Sequence, residues 1–480
     1  MSVKIKSAVG WSVIEKVINI FITLLISAFL ARLILPEEFG LLSMVTVFTG
    51  FFVVFKNFGL GASIIYHGKV EKLELNSIFW FNIFISFLFS VIIFFLARPI
   101  ADFYGNQRLI PITYAVSLLF FIQSIGIVPD TLIRKELQFK GFFIRNLSNN
   151  IVSGIIGIIF AFMGYGVWAL IIKQFIGNIW TIIISFMMVD WRPKFEFNFY
   201  SLKKHFAFGL PLFGENFINY WTRNIDTLLV GKFLGEKTLG FYNRAYALMT
   251  LPLRQINSAI ARVIFPAFSK INQDKDQLWL FYIKLLRLTA FITFPMMILL
   301  FILSKETILI LYGKNWLPMV PILKGLSLLG AIQSLTSYSG TMFQVLGKTK
   351  QQFILGLFFK PFTIGSIFFG VWKYGIPGII VALIVASVVS FTVLTHFISK
   401  NMGRTLCDVL IGLKKEIITS AILLGFFFLL HLGISSQINF IVVFTVISIS
   451  YFMAYFLINY LLKTEGFQFL KKNIYERKNH

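Results

Sequence analysis

The sequence predicts an all-α polytopic membrane protein with about fourteen transmembrane helices, arranged as two parallel six-helix repeats followed by two C-terminal helices. Of its 480 residues, 57% are hydrophobic and only 13% are charged, whereas soluble domains carry about 25% charged residues. A chain of this length cannot bury so much apolar surface in one core, so most of that surface must face lipid. Lipid offers no partner to exposed backbone groups, which makes the helix the default spanning element.

An internal repeat is the second observation behind this prediction. Residues 9–188 and 209–398 align almost without gaps, and the offset between matching positions drifts only from about 200 to about 210, so insertions fall in loops. Two homologous membrane bundles in one chain are typical of alternating-access transporters, which place a site between the halves. Glu15, Asn19, Gly40 and Tyr104 recur as Glu215, Asn219, Gly240 and Tyr312.

Individual spans follow from hydropathy, because a helix needs about 20 residues to cross the hydrocarbon layer. The segment 204–231 has the weakest hydropathy, but its repeat partner 8–34 is plainly apolar, so we predict a span at both positions. No small-residue cleavage site follows the first apolar run, so we expect a retained helix rather than a signal peptide. The predicted spans are 8–34, 40–66, 76–98, 109–131, 143–164, 166–188, 204–231, 238–262, 281–304, 317–345, 351–372, 376–399, 414–432 and 437–462.

The distribution of Lys and Arg predicts the orientation. With the N-terminus inside, the inside loops and the tail hold roughly three times as many cations as the outside loops, as the positive-inside rule requires. Both termini are then cytoplasmic, and the net charge of +24 needs no nucleic acid to explain it. We expect an N-lobe at 1–200 with spans 1–6, a C-lobe at 201–400 with spans 7–12, and two accessory helices with a basic tail at 401–480.

The motifs of soluble enzymes are missing from the sequence. It has no glycine-rich phosphate loop, no paired-histidine metal motif and no nucleophile elbow, so we predict no catalytic residue and no metal site. The single cysteine, Cys407, excludes an intrachain disulfide. Without a nucleotide-binding loop, energy is expected from a H⁺ or Na⁺ gradient, the membrane potential or substrate asymmetry, with no other cofactor.

Polar residues follow one face of the seventh predicted helix at steps of four, four and three residues. Charges at membrane depth are costly and normally face the bundle interior or a water-filled cavity. We therefore expect this face, and the matching face of the first helix, to line a shared central space. The two stripes are Glu215, Asn219, Arg223 and Asp226, and Glu15, Asn19, Thr23 and Ser27.

Cations in such a space predict an anionic ligand, and arginine favours phosphate because its planar fork donates two parallel hydrogen bonds. Trp168, Tyr220 and Trp221 are candidates for stacking on sugar rings. Some cations lie near helix ends, where their heads can equally reach the membrane interface; Arg244 and Arg287 are among them. The predicted ligand-binding residues are Arg223, Lys16, Lys173, Arg287, Asn219 and Arg244.

Carboxylates on the same faces are candidates for ion coupling. Glu215 has no arginine three or four residues away, and desolvation favours protonation of a lone intramembrane carboxylate. Two alternatives stay open. Glu215 can pair with Lys16 or Lys173 across the bundle, and Arg223 can form an internal ion pair with Asp226 whose role is purely structural. The ion-coupling candidates are Glu215, Asp226 and Glu15.

Three stretches are similar to segments of bacterial polysaccharide flippases. One follows the first helix, and the other two lie in the seventh and eighth. Across essentially its whole length the chain resembles the polysaccharide transport family of the multidrug/oligosaccharidyl-lipid/polysaccharide exporter superfamily, which includes O-antigen, teichuronic acid and colanic acid exporters. The stretches are ARLILPEEFG at residues 31–40, RNIDTLLVGKFLG at 223–235 and LGFYNRA at 239–245.

The resemblance implies two six-helix lobes around a V-shaped cavity. It implies flipping of undecaprenyl-pyrophosphate-linked oligosaccharide across the bacterial cytoplasmic membrane, with no covalent chemistry and hence no enzyme activity. The implied partners are the lipid-linked oligosaccharide, the membrane and other polysaccharide assembly proteins. The cationic cavity expected from the residues fits a pyrophosphate headgroup.

Three other functions compete with this one. Lipid II flippases usually carry several cavity arginines in the first lobe, whereas this chain offers Lys16, Lys56 and Lys173 there. Cation-coupled drug exporters of the same superfamily prefer acidic cavities. A membrane-embedded glycan polymerase or ligase is opposed by the clean sixfold repeat and by the lack of a large outer loop.

Overall fold

The computed structural model describes residues 2–57, 60–66, 70–136, 139–270, 274–434, 438–462 and 464–468. Side chains are described for these residues except 2–17, 55–57, 62, 139, 204, 206–218 and 256–270. Within this described part every regular element is a helix, which confirms the predicted all-α class.

Short connections join the helices. In chain order they are α1 (Ser2–Leu33), α2 (Pro36–Asn57), α3 (Leu60–Tyr66), α4 (Lys72–Phe95), α5 (Ala97–Tyr104), α6 (Leu109–Ile125), α7 (Ile127–Lys135), α8 (Phe139–Phe162), α9 (Val167–Met188), α10 (Phe199–Lys270), α11 (Lys275–Ile302), α12 (Ser304–Leu311), α13 (Val320–Thr336), α14 (Ser339–Val345), α15 (Thr349–Asn401), α16 (Leu406–Gly412), α17 (Lys414–Gly433) and α18 (Phe440–Leu461).

Several helix ends follow directly from local sequence. Asp274 begins α11 by accepting hydrogen bonds from the backbone amides of Asp276 and Gln277, both at 3.0 Å. Thr405 and Asp408 form a reciprocal capping box at α16, in which each side chain accepts the other's backbone N–H. Such oxygens bind amides that have no partner inside the helix. Asp408 is ionised in this arrangement, because these hydrogen bonds hold the pKa of its carboxyl below the ordinary value.

Many of the helices are long and apolar enough to cross a membrane. By length and apolar composition nine described helical segments qualify, and ten if α6 and α7, which are bent by 42°, form one span. The predicted total of about fourteen is consistent with these spans. α15 is counted once but covers two predicted segments, α10 lies outside the ten and covers two more, and α1 includes the shorter apolar stretch Ile18–Leu33. Both long helices break at a glycine with positive φ, Gly235 at 79° and Gly375 at 62°.

Two compact units make up the chain, Met1–Gly240 and Phe241–His480. Their boundary falls inside α10, just after the break at Gly235, so the first part of α10 packs within the first unit. The lobes predicted at 1–200, 201–400 and 401–480 rest on the sequence repeat, which is a different criterion, and they stay predictions.

Each unit has its own apolar core. In the first unit, Leu60, Ile78, Val128 and Trp191 are among the buried residues that join α3, α4 and α7 to the chain after α9. In the second unit, α17 and α18 pack on α11 and α12 through a cluster that includes Phe291, Ile302, Phe427, Tyr451 and Tyr455. The Tyr455 hydroxyl donates a hydrogen bond to the Phe291 carbonyl at 2.7 Å, which ties the C-terminal helix to α11.

Candidate functional site

The polar face predicted on the seventh helix lies on the first part of α10. Asn219 is half-buried, Arg223 is exposed and Asp226 is buried, with its carboxylate accepting the Thr227 amide at 2.7 Å. None of the ion pairs between described side chains involves Arg223. The role of Arg223 in ligand binding stays a prediction. The side chain of Glu215 lies outside the described set.

Aromatic residues beside this face attach α10 to α2. The Tyr220 hydroxyl donates to the Val47 carbonyl, and the rings of Trp221 and Phe51 have centroids 5.1 Å apart. Gly50 leaves room for this contact, since a Cβ there would lie 2.5 Å from the Tyr220 hydroxyl oxygen. Tyr220, whose ring we considered for stacking on a sugar, thus uses its hydroxyl in a helix–helix contact.

The start of α2 and the middle of α10, just after the break at Gly235, cross through a reciprocal glycine contact. A Cβ on Gly40 would lie 2.5 Å from the Glu236 carbonyl carbon, and one on Gly240 would lie 2.7 Å from that of Pro36. Because Gly40 and Gly240 are matching positions of the repeat, the same residue type solves the same close approach twice. The two backbones can meet only where both positions lack a side chain.

Other polar contacts surround this crossing. The Lys232 ammonium donates to the Phe103 carbonyl and lies 4.8 Å from the centroid of the Phe103 ring. Tyr104 packs beside Gly231, at which a Cβ would come within 2.9 Å of its ring. Burial, with a smaller effect from the nearby Tyr220 phenol, raises the pKa of Tyr104 well above its ordinary value, so it is a neutral phenol.

Glu38 joins three helices next to the crossing. One carboxylate oxygen accepts the Val167 amide at 2.9 Å, at the start of α9, and the other pairs with Arg108 at the start of α6. A carboxylate at a helix N-terminus satisfies a free amide and is favoured by the helix dipole. The motif LPEEFG, which supported the family resemblance, therefore has a structural role.

The polar stripe of the first helix meets amide side chains of α8. The Asn150 amide donates to Asn19 at 3.0 Å and to Thr23 at 3.4 Å. Lys173, on α9, is half-buried, and its aliphatic stem lies where a Cβ on Gly157 would be 2.9 Å away. The structure thus gathers Asn19 and Thr23 with Asn150. The side chains of Glu15 and Lys16 lie outside the described set.

A buried arginine that we did not predict lies near the start of α8. Arg145 donates to Asp130 at 2.6 Å and to Ser185 at 2.9 Å, and Arg134 binds the other Asp130 oxygen at 2.9 Å. The Phe142 ring lies 4.6 Å from the Arg145 guanidinium carbon. The signal was present in the sequence as a charge inside a predicted span, but its partners are distant along the chain.

The two remaining predicted cations lie in the second unit. Arg287 donates to the Gly412 carbonyl at 2.7 Å and to the carboxylate of Glu465, so the accessory segment uses two of its donor groups. Arg244, on α10, is half-buried and lies near the Tyr312 phenol. Their predicted convergence with Arg223 on one ligand stays a prediction. Among the described residues no group of three or more His, Cys, Asp and Glu could hold a metal ion.

Known proteins of similar sequence are named for the biosynthesis of bacterial polysaccharides. The chain is 27% identical to the lipopolysaccharide biosynthesis protein WzxC of Escherichia coli (strain K12), covering 83% of this chain and 82% of that protein. It is also 27% identical to the teichuronic acid biosynthesis protein TuaB of Bacillus subtilis (strain 168), covering 79% and 81%.

Solved structures of similar fold are membrane transporters. A structure of the lipid II flippase MurJ in an inward closed conformation has a TM-score of 0.74 at 18% identity and covers 95% of this chain and 98% of its own. An inward-facing multidrug resistance MATE family transporter of the MOP superfamily has a TM-score of 0.60 at 16% identity, covering 80% and 95%. These likenesses show that the chain shares their polytopic helical fold.

A sequence-family match covers more than half of the chain. Residues 29–321 match the family described as "Polysaccharide biosynthesis protein", and this region contains the crossing of α2 and α10 and the Arg223 face. The chain belongs to this family of polysaccharide biosynthesis membrane proteins.

Proposed function

We propose that this protein flips an oligosaccharide linked to a polyprenyl pyrophosphate, such as undecaprenyl pyrophosphate, from the cytoplasmic to the outer leaflet of the bacterial inner membrane. The observation that carries the proposal is the exposed guanidinium of Arg223, which forms no ion pair with another described side chain, on a predicted membrane helix of a polysaccharide biosynthesis protein. Arginine binds phosphate oxygens through a planar fork. A pyrophosphate is the part that all such substrates share, whatever their sugars.

Transport in this account uses no covalent step. The headgroup binds on the inner side, the two lobes rearrange, and the headgroup leaves on the outer side by alternating access. The relatives' names support a polysaccharide substrate, and the fold of MurJ supports handling of a lipid-linked one. We place both termini in the cytoplasm on the asymmetry of Lys and Arg, and we expect other polysaccharide assembly proteins as partners.

The experiment that tests this function follows the substrate in cells. Deleting the gene from a strain that makes the polysaccharide should cause the lipid-linked repeat unit to accumulate, accessible only from the cytoplasmic side. Blocking an early glycosyltransferase in the same strain is the control, since it prevents the accumulation. Accumulation on the outer face would assign the defect to a later polymerising step and contradict flipping by this protein.

We further propose that Glu215 couples transport to an ion gradient. Moving one charge across the membrane is worth about 2.3 kcal/mol per 100 mV, which biases two states roughly fortyfold. Glu215→Gln should abolish the response of flipping to imposed pH or sodium gradients and leave substrate binding intact. The measurement is flipping in proteoliposomes under each gradient, with Glu236→Gln as the control. A gradient response unchanged by Glu215→Gln would assign Glu215 a hydrogen-bonding role only.

A further inference from the structure

The segment between α9 and α10 presents an unusual aromatic surface. We define the aromatic linker as residues 190–200, which run from the end of α9 into the first turn of α10. Four of its aromatic side chains are largely exposed: Phe195 at 92%, Phe197 at 54%, Phe199 at 66% and Tyr200 at 80%. Large exposed aromatic side chains grouped in one short segment indicate an interaction site.

Hydrogen bonds hold the linker in place against α4. Asn76 accepts from the Trp191 indole at 3.1 Å and donates to Glu196 at 2.9 Å, and the Trp80 indole donates to the Lys194 carbonyl at 2.7 Å. The backbone N–H of Asn198 donates to the Ser77 hydroxyl at 2.9 Å. The linker therefore has a defined conformation, in which the buried Trp191 ring anchors it and the other four aromatic side chains are exposed.

The anchor points of the linker set its level relative to the bilayer. It leaves the span α9 at Met188 and is fixed to the first turns of the span α4, which begins at Lys72. The Phe195 ring stacks on Trp80, with centroids 4.6 Å apart, and the exposed Phe84 lies one turn further along α4. The aromatic surface thus adjoins the lipid-facing side of α4 at its end, where tryptophan and tyrosine favour the headgroup layer.

Charge around the linker identifies its partner more closely. Residues 190–204 contain only two carboxylates but four cations, on Arg192, Lys194, Lys203 and Lys204. One of the carboxylates, on Glu196, is bonded to Asn76. Arg192 is turned back onto the Val189 and Trp191 carbonyls, but Lys194 and Lys203 are exposed. A basic and aromatic surface at this level is complementary to an anionic lipid leaflet.

We propose that the aromatic linker is a binding surface for the headgroup layer of an anionic lipid leaflet. Its aromatic rings insert at the level of the glycerol backbone, and Lys194 and Lys203 bind lipid phosphates. The linker precedes the helix that carries Arg223, so its seat on the leaflet fixes where that helix enters the membrane. The proposal depends only on the first unit and does not require the proposed transport function.

Single-cysteine labelling tests the depth of the linker. In a Cys407→Ser background, which removes the one native cysteine, Phe197→Cys is labelled with an environment-sensitive NBD dye. The full-length protein is reconstituted in phosphatidylglycerol–phosphatidylcholine vesicles with lipids spin-labelled at carbon 5 or carbon 12. Met453→Cys is the matched control, because Met453 is 68% exposed in the middle of the span α18.

We expect the shallow spin label to quench the dye at position 197 at least about twofold more than the deep one, with the order reversed at position 453. With the label at carbon 5 carried by phosphatidylglycerol or by phosphatidylcholine, phosphatidylglycerol should quench position 197 more strongly. Lys194→Gln should lower the ratio of quenching by phosphatidylglycerol to quenching by phosphatidylcholine by up to about fivefold, because one cation near an anionic surface contributes about this factor. The depth of position 197 should stay unchanged.

Two results would overturn the proposal. Emission at position 197 that matches the dye in water, with no quenching by either lipid, would show that the linker faces solvent or a soluble protein. Equal quenching by the two headgroups, unaffected by Lys194→Gln, would show that the surface does not select anionic lipid. Monodisperse elution of each variant, with unchanged quenching at position 453 in the same vesicles, establishes that the fold is intact.

Discussion

Replacing Arg223 with alanine is expected to reduce flipping of the lipid-linked oligosaccharide by about 10- to 100-fold while the protein still inserts in the membrane. Hydrogen bonds to a charged group contribute about 1.5–3 kcal/mol, and each 1.4 kcal/mol changes a rate about tenfold. Arg223→Lys should restore part of the activity, because an ammonium keeps the charge but lacks the fork. Export per copy of membrane-inserted protein is the quantity to measure.

Arg254→Ala is the matched control for this prediction. Arg254 is also an exposed arginine on α10, but it lies near the end of a predicted span, where its head reaches the membrane interface. We expect little change in transport from its removal. Wild-type export by Arg223→Ala, at equal protein level, would show that the exposed guanidinium has no part in binding the pyrophosphate.

Alanine at Gly40 or Gly240 is expected to destabilise the protein strongly. The added Cβ would overlap the backbone of the other helix, at the Glu236 or Pro36 carbonyl, and backbone cannot move aside as a flexible side chain can. Overpacking of this kind costs about 1–3 kcal/mol or more. The apparent thermal midpoint in detergent, followed by loss of monodisperse protein, should fall by several degrees for either variant.

Gly365→Ala and Gly425→Ala serve as controls, because both glycines are helical and a Cβ there would meet nothing within 4 Å. Alanine stabilises a helix by about 1 kcal/mol relative to glycine, so these midpoints should stay level or rise. Since the two crossing positions touch the same pair of backbones, Gly40→Ala with Gly240→Ala should cost less than the sum of the single changes. Midpoints as high as those of the controls would contradict the crossing.

The spans and the repeat could be predicted because they depend on short-range pattern. Apolar runs of sufficient length define helices whatever their partners, and matching residues such as Gly40 and Gly240 mark equivalent places in the two halves. The breaks in α10 and α15 also left a signal in the sequence, because each falls at a glycine. Gly235 and Gly375 have positive φ, which glycine adopts without strain.

The partners of individual side chains could not be predicted, because they depend on packing between distant segments. Arg145 meets Asp130 and Ser185, and nothing in the local sequence of α8 indicates either partner. Arg287 donates to Gly412 and Glu465, which lie 125 and 178 residues further along the chain. Sequence position gives the depth of a charge in the membrane but not the direction in which its side chain turns.

Flipping by the purified protein in sealed proteoliposomes is the direct test of the proposed transport function. The substrate is a pyrophosphate-linked oligosaccharide placed in one leaflet, and its appearance in the other is followed with an impermeant sugar-binding or sugar-oxidising reagent. We expect protein-dependent exchange that Arg223→Ala lowers by at least about tenfold and Arg254→Ala leaves unchanged. Exchange no faster than in protein-free vesicles, under every imposed pH and sodium gradient, would contradict it.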